Sequence, residues 1–562
     1  MRRLRILIYA FILIAATVSI YAHTARYGFI GWDDDKDILN KPRIQQLNIS
    51  SVVHLFDPLG IFQGQYYYEY FPVTDLTYMT EWHFYGKDSP QGFHLDNVLL
   101  QTINVLLVFA VTLILLNAVR PEDYDTLSLR GASHRRHDEA ISIPSRSNHA
   151  ITAFFTALFF AVHPLMVENV AWLSGRKDLL AMMFYLLWFI FYMRSDKKNT
   201  RSNFINCFIA YICFLSAILS KFQAVTIPGV LAAYEYFINR RGIRDISKRL
   251  VPYVLLLAVY VPYTMWYYHK GATAFVDNKG FLWTILFIPE AIFIYIRKFL
   301  LPFNLTPVYA VPSFPDTGLF IISLVFFIAL LLWIIKLFKK KEFLILFGLA
   351  WFSANFIPVS NIISLPTKLA DRYMYEAALG IFLIAGTWMA DFYNHVNAKR
   401  TTALVYASVF LLLAFLSYRQ SLRWENSYSL WSYTADLQPQ SAVARNNLGV
   451  YYDAHDQPEL AKQAYELALK YDNSLVPALW NLGGKYLKQG NYEKAFPLIK
   501  RMSEIKAPEQ YIACRALGAI YLKFYNKPVL AKKYFKLSYR LNPNQPDVKT
   551  LKMIIEGLQN AR

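Results

Sequence analysis

Cysteine is nearly absent from the sequence, with three residues in 562. Cys207 and Cys213 fall within one apolar run and Cys514 stands alone far downstream, so they indicate neither a disulfide framework nor a zinc site. Charge is scarce too, at 17% of residues against 55% apolar and 17% aromatic. A soluble chain of this length needs more polar surface, so most of it meets lipid. Acidic residues number only 39 against 58 basic ones, a formal net charge of +19. The basic excess sits in short loops between apolar runs, as membrane topology demands, which removes nucleic acid as a partner. The glycines are scattered and form no phosphate-cradling loop, so a nucleotide-sugar donor is not expected.

What is present is a series of apolar runs. A helical crossing needs roughly twenty such residues, and candidates cover 5–22, 97–117, 149–166, 179–193, 203–220, 222–238, 250–268, 281–302, 317–338, 343–363, 373–391 and 402–417. The first run, after Met1-Arg2-Arg3-Leu4-Arg5, also fits a signal peptide, but the many later runs favour an uncleaved span. Arg2, Arg3 and Arg5 put the N-terminus in the cytoplasm. Three further inside loops are then basic: Arg130, Arg135 and Arg136; Arg194, Lys197, Lys198 and Arg201; and Arg240, Arg241, Arg244, Lys248 and Arg249. Segment 281–302 carries Glu290, Arg297 and Lys298, and an ionised group at the bilayer centre costs about 2.5–3.5 kcal/mol. Read as re-entrant or interfacial, it leaves eleven full spans. Lys336, Lys339 to Lys341, Lys399 and Arg400 then fall inside, and the C-terminal part falls outside.

The expected architecture is all-α: a polytopic transmembrane bundle over 1–420 with a large first outer loop, 23–96, then an α-solenoid over 421–562. The solenoid follows from internal repeats. Asn447-Leu448-Gly449 with Tyr452, Ala461, Tyr465 and Ala468 recurs as Asn481-Leu482-Gly483 with Tyr486 and Ala495, and as Ala516-Leu517-Gly518 with Tyr521, Ala531, Phe535 and Pro543. This is the tetratricopeptide period, and such arrays present a binding surface with no chemistry of their own.

Several polar constellations interrupt the apolar sequence. Phe29-Ile30-Gly31-Trp32-Asp33-Asp34-Asp35 sets three carboxylates side by side in the first outer loop. Their mutual repulsion is costly unless proton transfer or a cation uses it, so the readings are a general base, with a divalent metal ion as the one cofactor it would suit, or a solvated helix cap. His163-Pro164, Glu168 and Arg176-Lys177-Asp178 form a second group. Outer-face Arg176 and Lys177 run against the positive-inside bias, and either an anionic ligand or pairing with Asp178 and Glu168 explains them. Lys221 stands alone between two runs; a functional site and snorkelling to the interface both fit. Arg297 and Lys298, and Asp371-Arg372-Tyr373, complete the set, the latter equally readable as a local ion pair. On the topology above all five groups share the non-cytoplasmic face. Cations there can hold a lipid phosphate while a carboxylate activates a nucleophile; a ring of like residues along a pore is not visible.

The motifs resemble the transmembrane and tetratricopeptide repeat-containing proteins and their bacterial relatives. The resemblance rests on Phe29 to Pro42, Gly92-Phe93-His94-Leu95 with Asn97, His163-Pro164 with Glu168 and Arg176-Lys177-Asp178, Ser220-Lys221, and Ala370 to Tyr375. Gln101 stands where many relatives have His, and Phe222 follows Lys221 where eukaryotic members have Glu. That family is similar to the GT-C glycosyltransferases, which implies an integral-membrane enzyme moving a sugar, mannose in the eukaryotic members, from a polyprenyl-phosphate carrier to a protein hydroxyl with inversion. By this resemblance Asp33 and Asp34 are the acidic pair, Asp34 being the expected base, and Glu168 a supporting carboxylate. Lys221, Arg176, Arg372, Arg297 and His163 are the candidates for the donor phosphate, and Asp33, Asp34 and Asp35 for any metal. A bacterial-type member would use undecaprenyl phosphate and lie in the plasma (inner) membrane, its repeats on the outer or periplasmic side recruiting the acceptor protein. The alternative is a membrane-tethered scaffold whose repeats assemble an envelope complex.

Overall fold

A computed structural model describes residues 2–57, 70–119, 149–195, 200–271, 280–310, 317–362, 365, 367–543, 545 and 548–560. The expected basic loop residues Arg130, Arg135, Arg136, Lys197 and Lys198 lie outside them. Among the described residues all regular structure is helical, as lipid requires of a chain that must satisfy its backbone polar groups within each segment.

The membrane part begins with α1 (Arg2–Tyr21) and continues through two short outer-loop helices, α2 (Ile49–Leu55) and α3 (Pro72–Tyr85). Asn48 starts α2 by accepting a hydrogen bond from Ser51 N at 2.8 Å, and a proline opens α3, where the missing N–H would be unpaired anyway. Then come α4 (Pro90–Ala118), α5 (His149–Val162), α6 (Val167–Ala171), α7 (Arg176–Ser195), α8 (Thr200–Ser220) and α9 (Ile227–Ala233). The remainder are α10 (Ile243–Gly271), α11 (Gly280–Leu300), α12 (Thr317–Lys340), α13 (Phe343–Phe356), α14 (Ala378–His395) and α15 (Lys399–Ser421).

Among the described residues seven helices are long and apolar enough to cross a membrane, or eight if α5 and its continuation, bent by 57°, form one span. The eleven expected from hydropathy are not reached on that criterion. The shortfall has physical causes: apolar run 222–238 breaks into a 3-10 turn, Phe222–Thr226, and α9 with a π turn, Tyr234–Ile238. Its helical remainder is about 18 Å long, well short of a ~30 Å hydrocarbon core. Near the C-terminus of α11, Lys298 pairs with Asp371, and Tyr260 of α10 bonds to Ile218 O near the C-terminus of α8. Consecutive helices α10 and α11 therefore reach the same end of the bundle instead of alternating.

Small residues bring the helices together. A Cβ at Gly380 of α14 would lie 2.2 Å from Gly348 O on α13, so these backbones touch directly. After α15 come α16 (Ser427–Leu437), α17 (Ala442–Ala454), α18 (Pro458–Tyr471), α19 (Val476–Lys488), α20 (Tyr492–Glu504), α21 (Gln510–Lys523), α22 (Pro528–Leu541) and α23 (Val548–Asn560). The repeat glycines sit where paired helices meet: a Cβ at Gly449, Gly483 or Gly518 would come within 2.5, 2.7 or 2.6 Å of Tyr465, Ile499 or Phe535. This is the tetratricopeptide helix–turn–helix packing anticipated from the spacing.

Candidate functional site

The acidic turn divides its carboxylates. Asp34 is fully buried; its Oδ2 accepts from Ile30 N at 3.0 Å and its Oδ1 from Ser174 N at 3.0 Å and Ser174 Oγ at 2.8 Å. Burial pushes its carboxyl up to about 7 even though these bonds favour the ionised form. Asp33 points outward with a side chain 36% exposed, 3.5 Å from Lys36. Asp35 is partly buried. Asp37, one helical step on, pairs with Lys177 at 3.0 Å. Burial works against the Asp37 charge, but Lys177 and Lys41 hold its carboxyl below the usual range. Adjacent side chains thus diverge, and among the described residues no group of three or more His, Cys, Asp or Glu converges as a metal site would require. The acidic run does not fit the divalent ion considered for it.

The start of α7 distributes its charges the same way. Arg176 is fully buried and spends its guanidinium on Glu81, Asn97 Oδ1 (2.8 Å) and Phe93 O (2.6 Å), with the Tyr78 ring 5.1 Å away. Every arm is used inside the protein, so Arg176 braces α3 and α4 against α7 and presents nothing to a phosphate. Glu81 is pushed up to about 8 by burial, against the pull of Arg176. Asp178 pairs with Lys221 at the end of α8.

His163 also faces inward. Its Nδ1 accepts from Leu165 N at 3.3 Å and its Nε2 lies 3.1 Å from Phe299 O, so it pins the α5 bend to α11 and has no nitrogen left for a ligand. Glu168 and Arg372 form the central pair: Nη1 reaches Oε1 at 2.7 Å and the Arg372 backbone N reaches Oε2 at 3.0 Å. The guanidinium lies 5.5 Å from the Trp172 ring. Burial opposes the Arg372 charge, but Glu168, with Asp33 contributing, holds it firmly protonated.

Asp371 does not pair with its neighbour. Lys298 Nζ meets it at 2.7 Å, Tyr309 Oη donates at 2.8 Å and Thr306 N at 3.1 Å. Arg297 lies on the exposed side of α11 while Lys298 turns inward. Gln223 Nε2 bonds to Tyr373 O at 3.3 Å and Thr74 Oγ1 to Ser220 O at 3.1 Å, which ties Lys221 to the Arg372 turn and to α3. The sequence-predicted residues therefore meet at one end of the bundle. Glu168 and Arg372 pair directly, Asp33 is near enough to act on the Arg372 charge, Lys221 pairs with Asp178 and neighbours the Gln223 that bonds the Arg372 turn, and Arg176 and His163 serve the packing.

Sequence reasoning missed Glu81, Tyr309 and the buried cluster in which Lys41, at 2.6 Å, and Arg43 both pair with Asp75. The available signal was the two acids Asp75 and Glu81 inside an aromatic-rich helix.

No protein-family model matches the chain. Protein O-mannosyl-transferase Tmtc3 of Drosophila melanogaster is 24% identical, covering 89% of this chain and 58% of its own length. Protein O-mannosyl-transferase TMTC1 of Homo sapiens is 25% identical, covering 84% and 56%. The chain thus spans a little over half the length of these relatives. Type IV pilus assembly protein PilF of Pseudomonas aeruginosa is 36% identical over 20% of this chain and 45% of its own. A solved structure from the functional characterization of Pseudomonas aeruginosa pilF matches at a TM-score of 0.22 and 29% identity, covering 27% of this chain and 66% of that one. The several long apolar helices make the chain a multi-pass membrane protein, and over most of its length its sequence is similar to the proteins named as O-mannosyl-transferases of the transmembrane and tetratricopeptide repeat-containing type.

Proposed function

We propose that this protein is an integral-membrane glycosyltransferase that moves a sugar, mannose by analogy with its relatives' names, from a polyprenyl-phosphate carrier to a protein hydroxyl. The observation that supports the reading is the half-exposed Asp33 carboxylate, near enough to the Glu168–Arg372 pair to act on the Arg372 charge, with Lys221 at the same end of the bundle.

Asp33 takes the proton of the acceptor hydroxyl as its oxygen attacks the anomeric carbon opposite the phosphate. A bond forms from that oxygen to the carbon, the bond from carbon to phosphate oxygen breaks, and its electron pair leaves with the phosphate, inverting the centre. Arg372, Lys221 and the exposed Arg297 receive the departing charge. Glu168 keeps Arg372 aimed. Asp34, with both oxygens engaged inside the protein, holds the turn while Asp33 acts, which moves the base from the residue favoured by the sequence to its neighbour. The repeats recruit the acceptor on the same, non-cytoplasmic side, the basic loops staying in the cytoplasm. A scaffold role is the second reading, supported by the similarity to a protein named for pilus assembly.

The test is to incubate purified protein with polyprenyl-phosphate mannose and Ser/Thr peptides and to read the product's anomeric configuration by NMR. Transfer with inversion is expected; retained configuration, or no transfer, refutes the reading.

A further inference from the structure

We infer that α16, the first helix after the membrane bundle, is a wall of the candidate site, and that Trp431 on it is a positioning residue for Asp33. The inference rests on the glycosyltransferase reading above. Three separate pieces of the site lean on this one stretch of chain.

The first is the acidic turn itself. Gly31 N donates to Ser427 Oγ at 2.9 Å, and the Trp32 ring meets Trp431 edge-on with centroids 4.9 Å apart. Both residues immediately before Asp33 are therefore held by α16, and Trp431 is fully buried in doing so. The second is the Arg372 support. Trp424, in the turn leading into α16, lies 6.3 Å from Trp172, the ring near the Arg372 guanidinium. The third is the stretch that closes over Asp371. Gln438, just after α16, accepts from Ala310 N at 3.3 Å through its side-chain oxygen, next to the Tyr309 and Thr306 that bond Asp371.

Asp34 anchors the turn from the inside through Ser174. The outer side of the turn carries the exposed Asp33 carboxylate, and there the clamp comes from Ser427 and Trp431. Aim matters for a general base, since a misplacement near 1 Å costs about a hundredfold in rate. Among the described residues the Trp431 indole N–H has no hydrogen-bond partner, so Trp431→Phe keeps the ring contact and loses no bond to them. The repeat domain is thereby mechanically part of the site as well as a recruiting surface.

The experiment uses the full-length purified protein and measures release of free polyprenyl phosphate from polyprenyl-phosphate mannose in the presence of Ser/Thr peptides. Trp431→Ala is expected to lower kcat by about tenfold or more with the donor KM within about twofold, and Ser427→Ala to lower kcat by about threefold, because both loosen aim without touching the donor. Trp431→Phe should recover most of the rate, which a loss of bulk folding alone would not separate from KM. The inference is overturned if Trp431→Ala keeps a kcat within about twofold of the parent, if the loss falls in KM alone, or if Phe is as damaging as Ala. Should Trp431→Ala fail to fold, an unchanged kcat in Ser427→Ala overturns it and a lowered one supports it. Asp33→Asn separates the two levels. An active Asp33→Asn sinks the glycosyltransferase mechanism itself, whereas an inactive Asp33→Asn beside a fully active Trp431→Ala sinks only the role of α16.

Discussion

Replacing Asp34 by Asn should reverse the order of stability of the two proteins between acid and alkaline pH. The buried carboxyl has a pKa of about 7 against an ordinary 3.8. At about 1.4 kcal/mol per pKa unit, ionising it inside the protein costs about 4 kcal/mol relative to the unfolded chain. The sign follows from proton binding. The folded form holds the proton more tightly, so this contribution leaves stability intact below pH ~4 and erodes it as pH rises toward ~7. Glu81, pushed up to about 8, adds a slope of the same sign in both proteins, so only the difference between them reports on Asp34. Asn keeps an oxygen for Ser174 but turns an N–H toward Ile30 N, a mismatch of about 1–3 kcal/mol. The variant should therefore melt below the parent at pH 5 and level with it or above it at pH 8. Thermal melts of detergent-purified protein followed by tryptophan fluorescence measure this. Parallel curves across that range would show that Asp34 does not carry a raised pKa and would refute the reasoning.

Lys221→Ala should destabilise the protein by about 3–5 kcal/mol by leaving the buried Asp178 unpaired, and Lys221→Met with Asp178→Leu should restore the melting temperature. If the double variant is no better than the single one, the pair is not what holds that corner. Gly380→Ala should lower stability by about 1–3 kcal/mol, since its methyl would lie 2.2 Å from Gly348 O; an unchanged melting temperature would mean that α13 and α14 separate easily.

The repeats were legible in the sequence because their chemistry is local and periodic: each recurrence of the spacing places a glycine against a large side chain one helix away, as Gly449 meets Tyr465. The convergence of the polar groups at one end was also legible, since it depends only on which helix ends carry them. Their pairing was not. Arg176, Lys177 and Asp178 are consecutive, yet they reach Glu81, Asp37 and Lys221 on three different elements, because successive residues at a helix start point about 100° apart. Asp371 and Arg372, readable equally as site residues or as a local pair, part company in a 3-10 turn, one to Lys298 and the other to Glu168. The choice between Asp33 and Asp34 likewise depended on Ser174, a residue far away in sequence with no motif to mark it. Gln101 accepts from the Tyr375 hydroxyl and donates to Phe160 O at 3.1 Å, so it serves the packing between α4, α5 and the Arg372 turn.

The proposed mechanism has Asp33 work on a lipid-phosphate sugar held near Arg372. Its most direct test compares the parent with Asp33→Asn for release of free polyprenyl phosphate from polyprenyl-phosphate mannose. The parent should release it, and the variant, which gives up the Asp33 charge and its surface pairing with Lys36, should fall by at least about a hundredfold with the melting temperature nearly unchanged. Equal release from both proteins, or none from the parent, would contradict the account.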